Sequence, residues 1–421
     1  RDRLRRGALR ARSGYHARVT VPSPRFPWWL RAIDSAGDGA RRLGALRHLL
    51  DPDALLAEAA AAEGHDRFGD GTEAMLRIFC ASLLADARLA FHGRIHLHGL
   101  ASTALRVRLR LEAARARDPS IDRPPRRPPL IVCGLPRSGT TLLHRLLTLA
   151  DDARPLVFWE LTEPLPGRGP DRRRQEAERK LRRLQRLVPL SLDAQHLVRA
   201  DLPDEDGHLL KPSFASSLLY QAPALTWLDH LLRDDLAIAY ANWRALLVLL
   251  EAPERRLVLK DPFHARRVAR IVDLIPDAMI VRTHRDPAEV VPSFHKLTMT
   301  MHSVTCTSLD LPRIVAANTR WLESITDACT APLGDAAAAR VVDVDYRALL
   351  RDPVGTARSI HARFDLPWTD ALEARARAFL PTHRQRGHGD NPYDPADYGQ
   401  PVAALHERFA AYRRAFGLDR E

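Results

Sequence analysis

The chain has 421 residues, 45% of them hydrophobic and 28% charged, proportions that suit a globular protein with a substantial core of one large or two ordinary domains. It contains no apolar run near the roughly 18 residues that a membrane-spanning helix needs. Residues 1–15 are basic but have no apolar centre of the kind a secretory signal carries. The formal charge of +12 is compatible with nucleic acid, an acidic surface or an anionic small ligand. Arginine supplies nearly all of it, with lysine only at Lys180, Lys211, Lys260 and Lys296. Such a bias toward Arg and Ala reads as a compositional habit, so the charge alone argues little and the few lysines argue more. Cys80, Cys133, Cys306 and Cys329 are scattered and form no CxxC pair, which suits a reducing, cytoplasmic location and offers no zinc site.

Residues 1–125 are rich in Ala, Leu and Arg, with helical spacing in 54–62 and 76–89; they read as a helical accessory region. Within them His92, His96 and His98 have spacings that fit a metal site, but no carboxylate or Cys joins them locally. A solvent-facing or helix-end cluster is the expectation, with no metal required. The Pro/Arg connector at 122–129 breaks any helix.

After it the pattern changes. Leu130–Cys133 is a continuous apolar run that fits a buried parallel strand. A glycine-bounded loop, Gly134 to Gly139, follows, and then a helix with Leu142, Leu143, Leu146 and Leu147 on one face. The same order recurs at 256–259 with Val268, Ile271, Val272 and Ile275, at 278–281 with Val290 and Phe294, and at 340–344 with a helix near 356–364. Apolar strands alternating with amphipathic helices predict an α/β domain over 126–421, a P-loop-type parallel sheet flanked by helices. An insertion at about 160–250 interrupts this order. Its charged part, 171–186, alternates acids and bases without aromatics and predicts a solvated helix rather than a nucleic-acid surface. Its second part carries Phe214, Tyr220, Trp227, Tyr240 and Trp243, which suit core packing and the wall of an apolar pocket. Residues 381–400 read as a long loop.

Gly134-Leu-Pro-Arg-Ser-Gly-Thr-Thr141 is the strongest local signal. Between a strand and a helix, it turns backbone N–H groups and the positive helix end toward an anion. The glycines have kinase-like spacing, but Thr140 stands where a nucleoside-triphosphate enzyme has its phosphate-reaching Lys. The nearest cation is Arg137, inside the loop. This segment resembles the 5′-phosphosulfate loop of the sulfotransferases that use 3′-phosphoadenosine-5′-phosphosulfate (PAPS), in the form with Arg rather than Lys.

That resemblance implies a second motif for the 3′-phosphate, an Arg at a strand end and a Ser eight residues on; Arg285 and Ser293 have the spacing. It also gives a role to the segment from Leu257 through Lys260, Asp261, Pro262 and Phe263 to His264. This segment is similar to the KDPF segment of protein-tyrosine sulfotransferases, in which the Lys approaches the oxygen bridging phosphorus and sulfur. The implied donor contacts are Arg137, Ser138, Gly139, Thr140, Thr141, Arg285 and Ser293, with Arg137 and Lys260 as catalytic cations. For the general base the resemblance points to Glu160, beside Phe158 and Trp159. Apolar surroundings favour a carboxyl's neutral form and suit a group that must take up a proton. His264 is the alternative, although cytosolic members place their His at the position held here by Pro262. Arg384, Arg386 and Gly387 stand where members set basic residues over the nucleotide, without the RKG triplet of the cytosolic enzymes. The expected function is sulfuryl transfer from PAPS, without metal, to a hydroxyl or amine of a small or lipid-like molecule. The alternatives are a kinase-like phosphotransferase and a non-catalytic nucleotide-binding protein.

Overall fold

A computed structural model describes residues 26–46, 48–187, 199–385 and 394–419. Its centre is a five-stranded, all-parallel sheet of β2 (Leu130–Gly134), β3 (Ala153–Pro155), β4 (Arg256–Lys260), β5 (Met279–His284) and β7 (Val341–Asp345), in the order β3-β4-β2-β5-β7. A two-stranded antiparallel pair, β1 (Arg88–Leu89) with β6 (Cys306–Ser308), lies apart from it. The α/β class, the parallel sheet and the helical N-terminal region are as the hydrophobic pattern predicts. β3 and the β1/β6 pair are too short to leave a periodic signal.

Side chains alternate across β2. Leu130 and Val132 join Val258, Val281, Leu143 and Ile360 on one face, whereas Ile131 and Cys133 join Leu257, Leu259 and Ile280 on the other. The second core is continuous with the N-terminal helices: α2 (Pro52–Glu63), α3 (Thr72–Asp86) and α4 (Phe91–Arg117) bury Leu55, Phe79 and Leu105 against it. Phe214, Tyr220, Trp227, Tyr240 and Trp243 are all fully enclosed there. They are core first, and this explains why the insertion breaks the strand–helix order: its aromatics bridge the accessory helices to the sheet.

Helix starts follow a simple rule. Each Asp-Pro pair, at 51–52, 118–119, 261–262, 286–287, 352–353 and 394–395, opens a helix or 3₁₀ turn, the Asp side chain accepting a backbone N–H and Pro filling the first turn. One expectation fails: the loop placed at 381–400 begins as helix, because Asp370–Gln385 runs on through Pro381.

Candidate active site

The chemistry-bearing segments meet at the C-terminal edge of the sheet, where parallel sheets hold ligands. β2 lies between β4 and β5, with Val132 opposite Lys260 and Gly134 opposite Thr283. The loop after β2, the end of β4 and the residues just past β5 are therefore neighbours.

The loop turns on left-handed backbone at Gly134 (φ 131°), Arg137 (φ 65°) and Gly139 (φ 83°). A side chain at Gly134 would run into the backbone of Thr283, and one at Gly139 would meet Leu349 and Tyr346; both positions need glycine. Arg137 holds this conformation without that freedom, the kind of local cost that proteins concentrate at ligand sites. α5 (Thr140–Leu147) starts directly after Gly139 with no side-chain cap, so its first N–H groups are oriented toward the loop.

Arg137 and Arg285 tie the two halves of the sequence motif together. Arg137 Nε donates to Ser293 Oγ at 3.3 Å, and Arg285 Nη1 donates to the Arg137 carbonyl at 2.7 Å. Arg285 also pairs with Glu289 at 2.5 Å and lies 4.4 Å over the Tyr346 ring. Ser138 turns inward: its hydroxyl bonds the Leu135 carbonyl and sits 2.5 Å from Thr283 Oγ1. Any anion contact from Ser138 is therefore left to its backbone N–H.

Lys260, 2% exposed, donates to Glu205 Oε1 at 2.7 Å and lies 3.5 Å from Thr141 Oγ1. Glu205 precedes the 3₁₀ turn Asp206–Ser213. Its neighbour Asp206 accepts from Trp243 Nε1 at 2.7 Å and faces His264 Nε2 at 2.9 Å, while His264 Nδ1 meets the Tyr240 hydroxyl at 2.8 Å. Burial opposes the charge on His264, but the Asp206 and Asp261 carboxylates outweigh it and hold the imidazole above its ordinary range. Burial likewise opposes charge on Asp206, and His264 with Trp243 brings it below the usual carboxylate range. Both ring nitrogens of His264 are engaged in a fully buried network. His264 is thus held between Tyr240 and Asp206, the residue that follows Glu205.

Glu160 is on the short helix α6 (Phe158–Thr162). The apolar setting expected for it is not the one present: Arg154 donates to both carboxylate oxygens at 2.6 and 3.1 Å, and the Val157 N–H adds a third bond at 3.1 Å. The signal was an Arg six residues upstream, on a strand too short to recognise. Glu205 was missed altogether. Its one sequence mark is the acidic run Asp204–Asp206 ahead of an apolar stretch, and its partner lies 55 residues further along the chain.

The histidine trio separates: His92 pairs with Asp34, His96 with Gln221 and His98 with Glu58. Among the described residues no cluster suits a metal ion. Arg386 and Gly387 lie outside the described residues, and Arg384 falls in the last turn of the helix ending at Gln385.

The profile of the sulfotransferase family matches residues 128–370, the span that contains the loop, Lys260 and the Arg285/Ser293 pair. This chain belongs to the sulfotransferase family. Two solved sulfotransferases share its architecture over nearly their whole length. STF1 from Mycobacterium tuberculosis H37Rv is 29% identical, with 85% of this chain and 98% of that one aligned at a TM-score of 0.67. STF9 from Mycobacterium avium is 26% identical, with 86% and 96% aligned at 0.76. A search of curated proteins gave no significant match. A sulfotransferase moves a sulfuryl group, and the loop at the centre of the matched span has Thr140 where kinases carry Lys.

Proposed function

We propose that the protein transfers the sulfuryl group of PAPS to a hydroxyl or amine of a small or lipid-like acceptor, without a metal. The observation that carries this reading is the convergence of Arg137, Arg285 and Ser293, from motifs some 150 residues apart, through the 2.7 and 3.3 Å contacts. One half receives the 5′-phosphosulfate on the loop N–H groups of Ser138 to Thr141 and on Arg137. The other gives the 3′-phosphate a charge-assisted bond from Arg285 and a hydroxyl from Ser293.

In the reaction the acceptor oxygen or nitrogen bonds to sulfur as the sulfur–oxygen bond to the 5′-phosphate breaks. That bond's electrons stay on the bridging oxygen, and the products are the sulfated acceptor and adenosine 3′,5′-bisphosphate. Lys260 leaves Glu205 to stabilise the bridging oxygen, with Thr141 beside it; a compact ammonium follows a single oxygen better than a guanidinium does. The acceptor proton passes to a carboxylate. Glu160 is the assignment from the family resemblance. Glu205 is a second reading, favoured by its 2.7 Å contact with Lys260.

Calorimetry with adenosine 3′,5′-bisphosphate tests the donor half. Binding by the unaltered protein that weakens in Arg285→Ala supports it; no binding at all, or binding of ATP with magnesium in its place, overturns it. The base is decided by pH–rate profiles of Glu160→Gln and Glu205→Gln with labelled PAPS. The variant that loses the acid limb while still binding the bisphosphate has lost the base.

A further inference from the structure

Helix α1 (Trp28–Arg42) carries a large exposed apolar face. At about 100° per residue, Trp28, Trp29, Ala32, Ile33, Ala36 and the following Leu43 fall on one uncharged stripe. That stripe faces outward: Trp28 is 74% exposed, Trp29 41%, Ile33 47% and Leu43 91%. The side that faces the protein carries Leu30, Asp34 and Gly37, while Arg31, Arg41 and Arg42 are exposed. Asp34 accepts from the His92 backbone N–H at 3.0 Å and pairs with its ring at 2.9 Å, Gly37 lets the helix approach Phe91, and Leu30 is buried. Ordinary amphipathic packing buries the apolar face; here the Asp34–His92 hydrogen bonds, Leu30 and a glycine contact hold the helix so that its larger apolar face is presented.

Three observations identify what that face meets. Exposed Arg31 and Arg42 lie along one border of the stripe, and the two tryptophans stand at its start. Trp and Arg around an apolar stripe are the composition of helices that lie in a bilayer interface. The chain ahead of the helix adds Arg1, Arg3, Arg5, Arg6, Arg10, Arg12, Arg18 and Arg25 against a single acid, Asp2, so the sequence leading into the helix is strongly basic. The chain also enters on the protein side, where Phe26 packs edge-on against His92 at 4.6 Å. Finally, a face about 22 Å long and about 10 Å wide on one helix covers on the order of 220 Å², well below the roughly 800 Å² per partner that a standard protein interface buries. A bilayer imposes no such threshold, because apolar insertion and charge attraction add residue by residue.

We infer that α1 docks this protein on an anionic lipid surface, Trp28, Trp29 and Ile33 entering the interface and Arg31 and Arg42 meeting the headgroups. The helix lies in the surface and does not cross it. The inference is independent of the donor assignment, because none of these residues belongs to the sulfuryl-transfer site.

Flotation of the full chain with vesicles tests it. The protein should float with equimolar phosphatidylcholine and phosphatidylglycerol, far less with phosphatidylcholine alone, and less as salt screens the attraction. The triple variant Trp28→Ser, Trp29→Ser, Ile33→Ser should bind about tenfold more weakly, with bisphosphate affinity and melting temperature unchanged. A second variant, Arg31→Glu with Arg42→Glu, keeps the stripe and should lose the preference for anionic vesicles. Failure of the unaltered protein to float, or undiminished binding by the triple variant, overturns the proposal. So does a dimer, seen by light scattering, that the triple variant dissociates, since the stripe would then meet a second copy.

Discussion

Lys260 is rare in an arginine-rich chain, ends the strand beside the glycine-bounded loop, and has its ammonium buried against Glu205 and Thr141. A cation that acts on charge developing only in the transition state contributes to turnover and little to donor affinity. Lys260→Ala should therefore cut kcat by about 10²–10³, while calorimetry records nearly unchanged binding of adenosine 3′,5′-bisphosphate, which has no bridging oxygen. Lys260→Arg should recover part of the loss. A parallel collapse of bisphosphate affinity in Lys260→Ala would assign Lys260 to donor binding instead. Single residues were legible here when they sat in a contiguous motif. Glu205 was not, because an ion pair across 55 residues leaves no local pattern, and the setting of Glu160 was hidden for the same reason.

At the scale of elements, the loop after β2 was readable because its demands are local. Gly134 must turn at φ 131° with Thr283 of β5 directly against its Cα, and Gly139 must open α5 from left-handed backbone. Gly134→Ala places a methyl group on the neighbouring strand and forces an unfavourable φ. It should destabilise the fold by about 1–3 kcal/mol, read as a lowered denaturation midpoint with an unchanged m-value. Gly39, inside α1 with open space around it, is the control: Gly39→Ala should be neutral or stabilising. The Asp-Pro helix starts were equally local, and so were the four longer strands. What escaped was short or non-local. β3 has three residues, the β1/β6 pair joins segments more than 200 residues apart, and Pro381 reads as a breaker although its helix absorbs it.

Across the whole molecule, the same compaction that buries Lys260 leaves a dense group of ionisable side chains behind the sheet edge. Asp261 feels it most. Burial, with the nearby charges of Glu205 and Asp206, pushes its carboxyl up to about 7 despite the attraction of His264. The sign of the pH effect follows from proton counts. Between an unfolded pKa near 3.9 and about 7, the folded protein holds a proton on Asp261 that the unfolded chain has released. Stability from this group is thus greatest in mild acid and declines as pH rises across that window. His264, raised above its ordinary range, acts in the same sense at higher pH, being lost as pH climbs through its folded value. Asp206, lowered, loses its contribution only as pH falls below the normal carboxylate range. Buried His144, His295 and His302, held below the ordinary imidazole range by loss of hydration, act in the opposite sense as pH rises, so the Asp261 contribution is read as a difference: relative to Asp261→Asn, the unaltered protein should lose urea resistance from pH 5 to pH 8. Asp261→Asn keeps the acceptor oxygen that caps the Phe263 N–H but cannot ionise, so it removes the decline that this one group contributes. A difference between the two urea midpoints that stays constant from pH 5 to pH 8 would show that Asp261 is ionised in the fold, and that the cluster behind Lys260 holds a buried negative charge in spite of its desolvation.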